Sequence, residues 1–148
     1  MRRTLFVAAT ALLSFLLAVP AGAQTAQSGA QVTPQALKAT YEQAIKAQDW
    51  LAALAAAQQL VGANATSANL LMLANAQLYV ASAQHDTSKM EATLATYDSA
   101  LAMAEQEKPA QGQPDKAWKD GESNIYLGKG NALLKLKDRR AGGEAHRR

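Results

Sequence analysis

The sequence predicts an all-α fold built from antiparallel helical hairpins. Over residues 33–79, apolar side chains recur every three and four positions, which is the spacing of one face of an α-helix. Capping residues mark the helix starts, and the loops between the periodic segments are short, which forces neighbouring helices to pack antiparallel. Hydrophobic residues make up 49% of the chain but aromatic residues only 5%, so alanine supplies much of the apolar surface. We therefore expect a modest core between closely approaching helices.

The chain begins with the features of an export signal. Two arginines precede an apolar run over 5–19, and small residues ending at Ala23 fit the rule for signal-peptide cleavage. We predict a signal peptide over 1–23 and a flexible leader over 24–32, with a periplasmic or extracellular location after cleavage. An uncleaved membrane anchor is the less favoured alternative, because the run is short for a bilayer span. Cleavage would remove both arginines and lower the net charge from +3 to +1.

The first two helices have clear start signals. Thr33 precedes Pro34, the order expected of an N-cap and a first helical residue, and the helix should run to about Ala47. Asp49 can cap a second helix. Gly62 is placed to end that helix in the left-handed conformation. A short polar loop then leads into a third helix, whose apolar content is Leu70, Leu71, Leu73, Ala74, Leu78 and Tyr79.

The second half of the chain predicts two more helices. Ser88 and Glu91 form a capping box for the fourth helix, which should run to about Glu107. A proline-containing loop separates it from the fifth helix, which is either one bent element over 115–137 or a turn followed by a helix over 122–137. The core is expected at the larger side chains Trp50, Leu54, Leu60, Leu70, Leu73, Tyr97, Leu101 and Trp118.

One spacing of residues occurs three times along the chain. The three sets are Leu37, Thr40, Tyr41 and Ala44; Leu71, Ala74, Asn75 and Leu78; and Tyr126, Lys129, Gly130 and Leu133. This pattern, with the acidic–aromatic turn Asp49-Trp50, resembles the tetratricopeptide repeat (TPR) family, whose unit has about 34 residues. The resemblance implies a short α-solenoid of about two and a half repeats over 33–138. Extra residues over 84–89 would lengthen a turn, and 139–148 would form a disordered basic tail.

The resemblance also implies a place for a ligand. In TPR proteins the first helices of successive units line a concave groove that holds a peptide or a partner helix. The corresponding positions here are Lys38, Glu42, Ile45, Asn69, Met72, Tyr79, Asn124, Leu127, Asn131 and Lys135. Asn and Lys side chains can hydrogen-bond an extended peptide, while Met and Tyr can hold an apolar side chain. Some of these positions could instead be plain surface or core.

No set of residues in the sequence suggests catalysis. The chain has no cysteine, and its two histidines fall in a predicted turn and in the tail. Residues 128–131 have a phosphate-loop appearance but lack the strand, the other glycines and the Ser/Thr after Lys. The glycine of the repeat pattern, Gly130, is better explained as a position where a neighbouring helix approaches closely. We therefore expect no enzyme activity, no metal and no cofactor.

Two functions remain open at this point. The first is an exported adaptor that holds a protein or peptide partner in the groove. The second is an assembly subunit that self-associates, because the third repeat lacks its second helix and leaves an apolar face over 125–136 uncovered. Nucleic acid is not an expected partner of an exported protein. The basic end could touch anionic lipid, although a solvated terminus is favoured.

Overall fold

The computed structural model describes residues 32–109 and 115–145, and these residues form five α-helices with no strand among them. The prediction of an all-α fold is therefore confirmed. The predicted signal peptide, the leader up to residue 31, the loop residues 110–114 and the last three residues lie outside this description. The helices are α1 (Pro34–Ala47), α2 (Trp50–Ala63), α3 (Ser67–Ala83), α4 (Thr87–Gln106) and α5 (Lys116–Ala145).

Each described helix begins at a side chain that accepts a hydrogen bond from a backbone N–H three residues later, which satisfies one of the unpaired donors of the first turn. The predicted caps Thr33 and Asp49 are confirmed. The predicted capping box at Ser88 is wrong, because Asp86 caps α4 by accepting from the Lys89 N–H at 3.0 Å. The five caps are Thr33, Asp49, Thr66, Asp86 and Asp115.

The helix ends differ from the prediction in two places. Gly62 lies inside α2, which ends at Ala63, and the C-cap Asn64 is extended rather than left-handed. The left-handed turn residues are instead Gln48, with φ 58°, and His85, with φ 56°. The turn between α3 and α4 spans only Gln84 to Asp86, so the predicted longer turn over 84–89 is wrong, and residues 87–89 form the start of α4.

The fifth helix is one continuous element of 30 residues. It neither begins at residue 122 nor ends at residue 137, and it runs through Gly121, Gly128, Gly130 and Gly142 without interruption. The segment 139–145, predicted as part of a disordered tail, is therefore helical.

Among the described helices, none combines the length and the apolar character that a membrane crossing would require.

Each helix packs on the next one in the chain, and α3 also contacts α5. Side-chain bonds fix the directions. The Tyr97 hydroxyl reaches Asn75 on α3, the Trp118 indole N–H donates to the Ala104 carbonyl near the end of α4 at 2.7 Å, and Arg140 pairs with Glu91 near its start. Helix α4 packs on α3 and runs antiparallel to α5. Helices α3 and α5 therefore lie side by side against α4 and contact each other.

Alanine forms most of the interior. Ten of the nineteen buried hydrophobic residues in the described part of the chain are alanines, so methyl groups set how closely the helices approach. Of the predicted core, Leu60 and Tyr97 are buried. The six other predicted side chains are only half-buried at the edges of the interfaces: Trp50, Leu54, Leu70, Leu73, Leu101 and Trp118.

Candidate binding groove

A groove lies between α3 and α5, above α4, and we call it the α3–α5 groove. Its volume is about 210 Å³. The α3 wall, the α4 floor and the α5 wall each contribute side chains, so the groove exists only because three helices meet there. The lining residues are Asn75, Leu78 and Tyr79 from α3, Tyr97 from α4, and Gly128, Asn131, Leu134, Lys135 and Asp138 from α5.

The floor of the groove is built on Tyr97. Its ring is buried in the core shared by α3, α4 and α5, and its hydroxyl donates a hydrogen bond to Oδ1 of Asn75 at 2.7 Å. Burial raises the pKa of this phenol, and the nearby Tyr79 and Tyr41 raise it further. Tyr97 therefore remains a neutral donor at physiological pH and holds the amide of Asn75 in one orientation.

Gly128 lets α5 lie against this ring. A Cβ added at Gly128 would lie 2.7 Å from Cε1 of Tyr97, closer than real Cβ contacts. The Tyr97 ring thus fills the space that a side chain on α5 would need. By contrast, a Cβ added at Gly130 would meet no atom within 4 Å, so the interpretation of Gly130 as a close-packing position within this chain is wrong.

The rim of the groove is polar on the α5 side and aromatic on the α3 side. Asn131, Lys135 and Asp138 follow one another at helical spacing and are exposed. Opposite them stands Tyr79, which is 38% exposed. Its ring stacks on Trp50 of α2 with the ring centroids 4.6 Å apart and the planes 19° apart, and such a stack fixes the orientation of the ring.

Three of the ten predicted groove residues, Tyr79, Asn131 and Lys135, line the α3–α5 groove. Lys38 and Glu42 are exposed on α1 and lie outside the groove lining. Asn124 and Leu127 are exposed on α5 but lie outside the groove lining. Two more predicted residues, Ile45 and Met72, are half-buried against the core between α1, α2 and α3.

The remaining predicted residue, Asn69, has a different role. It is 7% exposed, and its Nδ2 donates to the Asn64 carbonyl at 2.8 Å and to the Leu60 carbonyl at 3.4 Å. These carbonyls belong to the end of α2, where backbone acceptors lack partners within the helix. Asn69 therefore stabilises the turn between α2 and α3, and its Nδ2 donates within the chain.

Sequence reasoning missed most of the groove lining. Tyr97 was predicted as a core residue and Asn75 as a repeat position, but nothing in the spacing joins them, because they are far apart in the chain and on different helices. Leu78, Gly128, Leu134 and Asp138 also join the groove through packing alone. The one available signal was the i, i+4, i+7 spacing of Asn131, Lys135 and Asp138, which places them along one side of α5.

A second, more apolar cleft of about 400 Å³ lies between α2, α3 and α4. Its Lys89 is engaged within the protein, since the Nζ donates to Oε1 of Gln84 at 2.7 Å and pairs with Asp86 at 3.5 Å. The hydrogen bond from the Lys89 backbone N–H lowers the pKa of Asp86. This cleft therefore offers fewer groups to orient a ligand. It is lined by Leu51, Leu54, Gln77, Val80, Gln84, Lys89, Ala92 and Thr93.

The chemistry of the α3–α5 groove is that of recognition by shape and hydrogen bonding. It combines apolar surface from Leu78 and Leu134 with amide, ammonium and carboxylate groups at the rim. Over residues 32–109 and 115–142, no three His, Cys, Asp or Glu side chains come together as a metal site would need. No protein-family model, curated protein or solved structure gives a significant match to this chain.

Proposed function

We propose that this chain is an exported, non-catalytic helical-repeat module of TPR-like type that binds an extended peptide segment of a protein partner in the α3–α5 groove. The main observation in support is that apolar side chains inside the groove lie next to a polar rim, which carries both a positively and a negatively charged group. Such a combination holds a ligand by burying a side chain and fixes its orientation by hydrogen bonds.

The size of the groove favours a peptide side chain over a drug-sized ligand or a cofactor. Drug-sized ligands and cofactors occupy pockets of about 300–1,000 Å³, whereas this groove has about 210 Å³. One apolar side chain of a peptide would rest over Leu78 and Leu134. The peptide backbone on either side would meet Asn131 and Lys135, and the ring of Tyr79 would cover it from the α3 side.

The test is a selection from a randomised peptide library displayed on phage against the protein from residue 24 to residue 148, followed by affinity measurement on the best peptide. We expect Asn131→Ala and Lys135→Glu each to weaken binding about tenfold or more, which corresponds to about 1.4 kcal/mol. The matched controls are Asn124→Ala and Lys38→Glu, which change exposed residues of the same types outside the groove lining.

A selected peptide that binds the groove variants and the controls with equal affinity would contradict this proposal, as would a selection that yields no specific binder. The other function left open by the sequence, an assembly subunit, depends on the side of α5 that faces away from α4, a surface that shares Leu134 with the α3–α5 groove.

A further inference from the structure

The side of α5 that faces away from α4 is apolar, although the helix already buries an apolar stripe on its inner side. Ile125, Ala132 and Leu136 are buried in the core with α3 and α4. The segment 125–136, which was predicted to leave an uncovered apolar face, therefore has these three residues covered by α3 and α4 and its other large apolar residues exposed. Four large side chains remain exposed on what we call the α5 outer face, with exposed fractions of 57% for Tyr126, 64% for Leu127, 47% for Leu133 and 61% for Leu134.

Helical geometry joins these four residues into one patch. Tyr126 and Leu133 are two turns apart, as are Leu127 and Leu134, so the pairs form two rows along the helix. Gly130 lies midway between the rows. A helix that is apolar on both sides is ordinarily buried on both sides, and a contiguous exposed apolar patch marks an interaction site.

Gly130 leaves a notch at the centre of the patch. Apart from the backbone of α5 and the two neighbouring residues, no described atom lies within 4 Å of a Cβ added there, so packing on the other described helices does not require glycine. Glycine in a helix interior is less favourable than alanine. A helix from outside could approach closely at this point, because only backbone stands between the four flanking side chains.

We propose that a second copy of this chain covers the α5 outer face, with the two α5 helices packed antiparallel and crossing at Gly130. A two-fold axis beside Gly130 makes the interface self-complementary. Tyr126 then packs near Leu133 of the second copy, and Leu127 packs near Leu134 of the second copy. This inference does not depend on a peptide in the α3–α5 groove.

Charge on α5 favours an antiparallel second copy. Residues 115–124 contain three acidic and two basic side chains, whereas residues 133–142 contain four basic and one acidic. Lys116 pairs with Asp120 and Arg140 with Glu91 inside one copy, so the start of α5 keeps two acidic and one basic side chain and its end keeps three basic and one acidic. An antiparallel pair places the more acidic start of each helix beside the basic end of the other, while a parallel pair would place like charges together. The helix dipoles are also opposed in the antiparallel pair.

The first test is the solution mass of the protein from residue 24 to residue 148, measured by light scattering over a dilution series. We expect a dimer that dissociates on dilution. Gly130→Glu places two like charges at the crossing and should weaken the dimer at least tenfold. Gly62→Glu on α2 is the matched control, because a Cβ at Gly62 also meets no atom within 4 Å. Circular dichroism checks that both variants keep their helical content.

The second test fixes the direction by cross-linking, and it is clean because the sequence has no cysteine. With a mild oxidant, Gly130→Cys should form a disulfide-linked dimer, since a disulfide requires close approach of the two Cα atoms. Tyr126→Cys alone should not cross-link, whereas Tyr126→Cys mixed with Leu133→Cys should. Gly62→Cys is the control that should stay monomeric.

A monomer at every concentration would overturn the proposal, and so would a dimer that Gly130→Glu leaves intact. Efficient cross-linking of Tyr126→Cys to itself would overturn the antiparallel arrangement. Leu134 belongs to both the α5 outer face and the lining of the α3–α5 groove. The variants used here change Gly130, Tyr126 and Leu133, which do not line the groove, so these outcomes are separable from failure of peptide binding.

Discussion

Gly128 of α5 lies so close to the ring of Tyr97 on α4 that a Cβ at position 128 would be 2.7 Å from Cε1 and 3.2 Å from the hydroxyl oxygen. The ring is buried, and its hydroxyl is held by Asn75. Tyr97 therefore has little freedom to move away. One contact thus sets the distance between α4 and α5 and also forms the floor of the α3–α5 groove.

Substituting Gly128 by alanine should destabilise the protein. The added methyl group must displace the Tyr97 ring or push α5 away, and overpacking of this kind costs about 1–3 kcal/mol. Chemical denaturation followed by circular dichroism measures the change. The control is Gly121→Ala in the same helix, where an added Cβ meets nothing within 4 Å. The control should raise stability by up to about 1 kcal/mol. Equal effects of the two substitutions would contradict the contact.

Removing the Tyr97 hydroxyl should also lower stability. Tyr97→Phe leaves the half-buried Asn75 carbonyl oxygen without its 2.7 Å donor, and loss of such a hydrogen bond costs about 0.5–1.5 kcal/mol. The free energy of unfolding in urea measures this loss. Tyr126→Phe removes an exposed hydroxyl, since Tyr126 is 57% exposed, and should change nothing. A Tyr97→Phe protein as stable as the wild type would show that the hydrogen bond contributes nothing.

Alkaline pH should unfold the protein progressively. Burial, with a smaller contribution from Tyr79, raises the pKa of Tyr41 from 10.0 to about 12. The Tyr41 hydroxyl therefore loses its proton at a lower pH in the unfolded chain than in the folded protein. The contribution of Tyr41 to the free energy of unfolding is constant below pH 10 and decreases as the pH rises toward 12. The raised pKa of Tyr97 acts in the same direction.

Thermal melts at several pH values above neutrality measure the alkaline effect. In the Tyr41→Phe variant, stability should fall less steeply above pH 10, because one of the two phenols whose pKa is raised by folding is gone. If the wild type and Tyr41→Phe lose stability in parallel over this range, Tyr41 does not couple folding to proton release.

The start of α3 depends on a residue that lies just beyond the end of α4. The Glu107 carboxylate accepts hydrogen bonds from the Ser67 N–H at 2.9 Å and from the Ser67 hydroxyl. Thr66 remains the cap of α3 in this variant. The two exposed hydrogen bonds to Ser67 are charge-assisted, so Glu107→Ala should lower the free energy of unfolding by about 1 kcal/mol. Glu105→Ala is the control, because its exposed pair with Lys108 contributes only about 0–1 kcal/mol.

A double-mutant cycle with Ser67→Ala measures the bond between the Ser67 hydroxyl and the Glu107 carboxylate, because alanine keeps the backbone N–H that also donates to Glu107. If the hydroxyl bond contributes, the two single losses should sum to more than the loss in the double variant. Additive losses would mean that the hydroxyl bond adds nothing to stability.

The sequence alone determined the helices, since the interactions that start and maintain a helix join residues within four positions of each other. Thr33 and Asp49 were therefore identified correctly as caps, and α1 has the predicted bounds. Errors arose where two local signals competed. Asp86 and Ser88 are both possible caps of α4, and Asp86 is the one that caps it. Gly62 does not end α2 in the left-handed conformation, because α2 continues to Ala63 and its C-cap Asn64 is extended.

Only the tertiary structure decided which residues meet. The α3–α5 groove joins side chains from three helices, and its floor pairs Tyr97 with Asn75 across two of them. The same holds for the glycines of α5. Gly128 and Gly130 are alike in sequence, yet one lies against a ring and the other faces open space. Side chains two positions apart in a helix point in directions that differ by about 200°. The rotation of α5 about its own axis, which is fixed by packing on an alanine-rich core, therefore decides which of the two glycines faces α4.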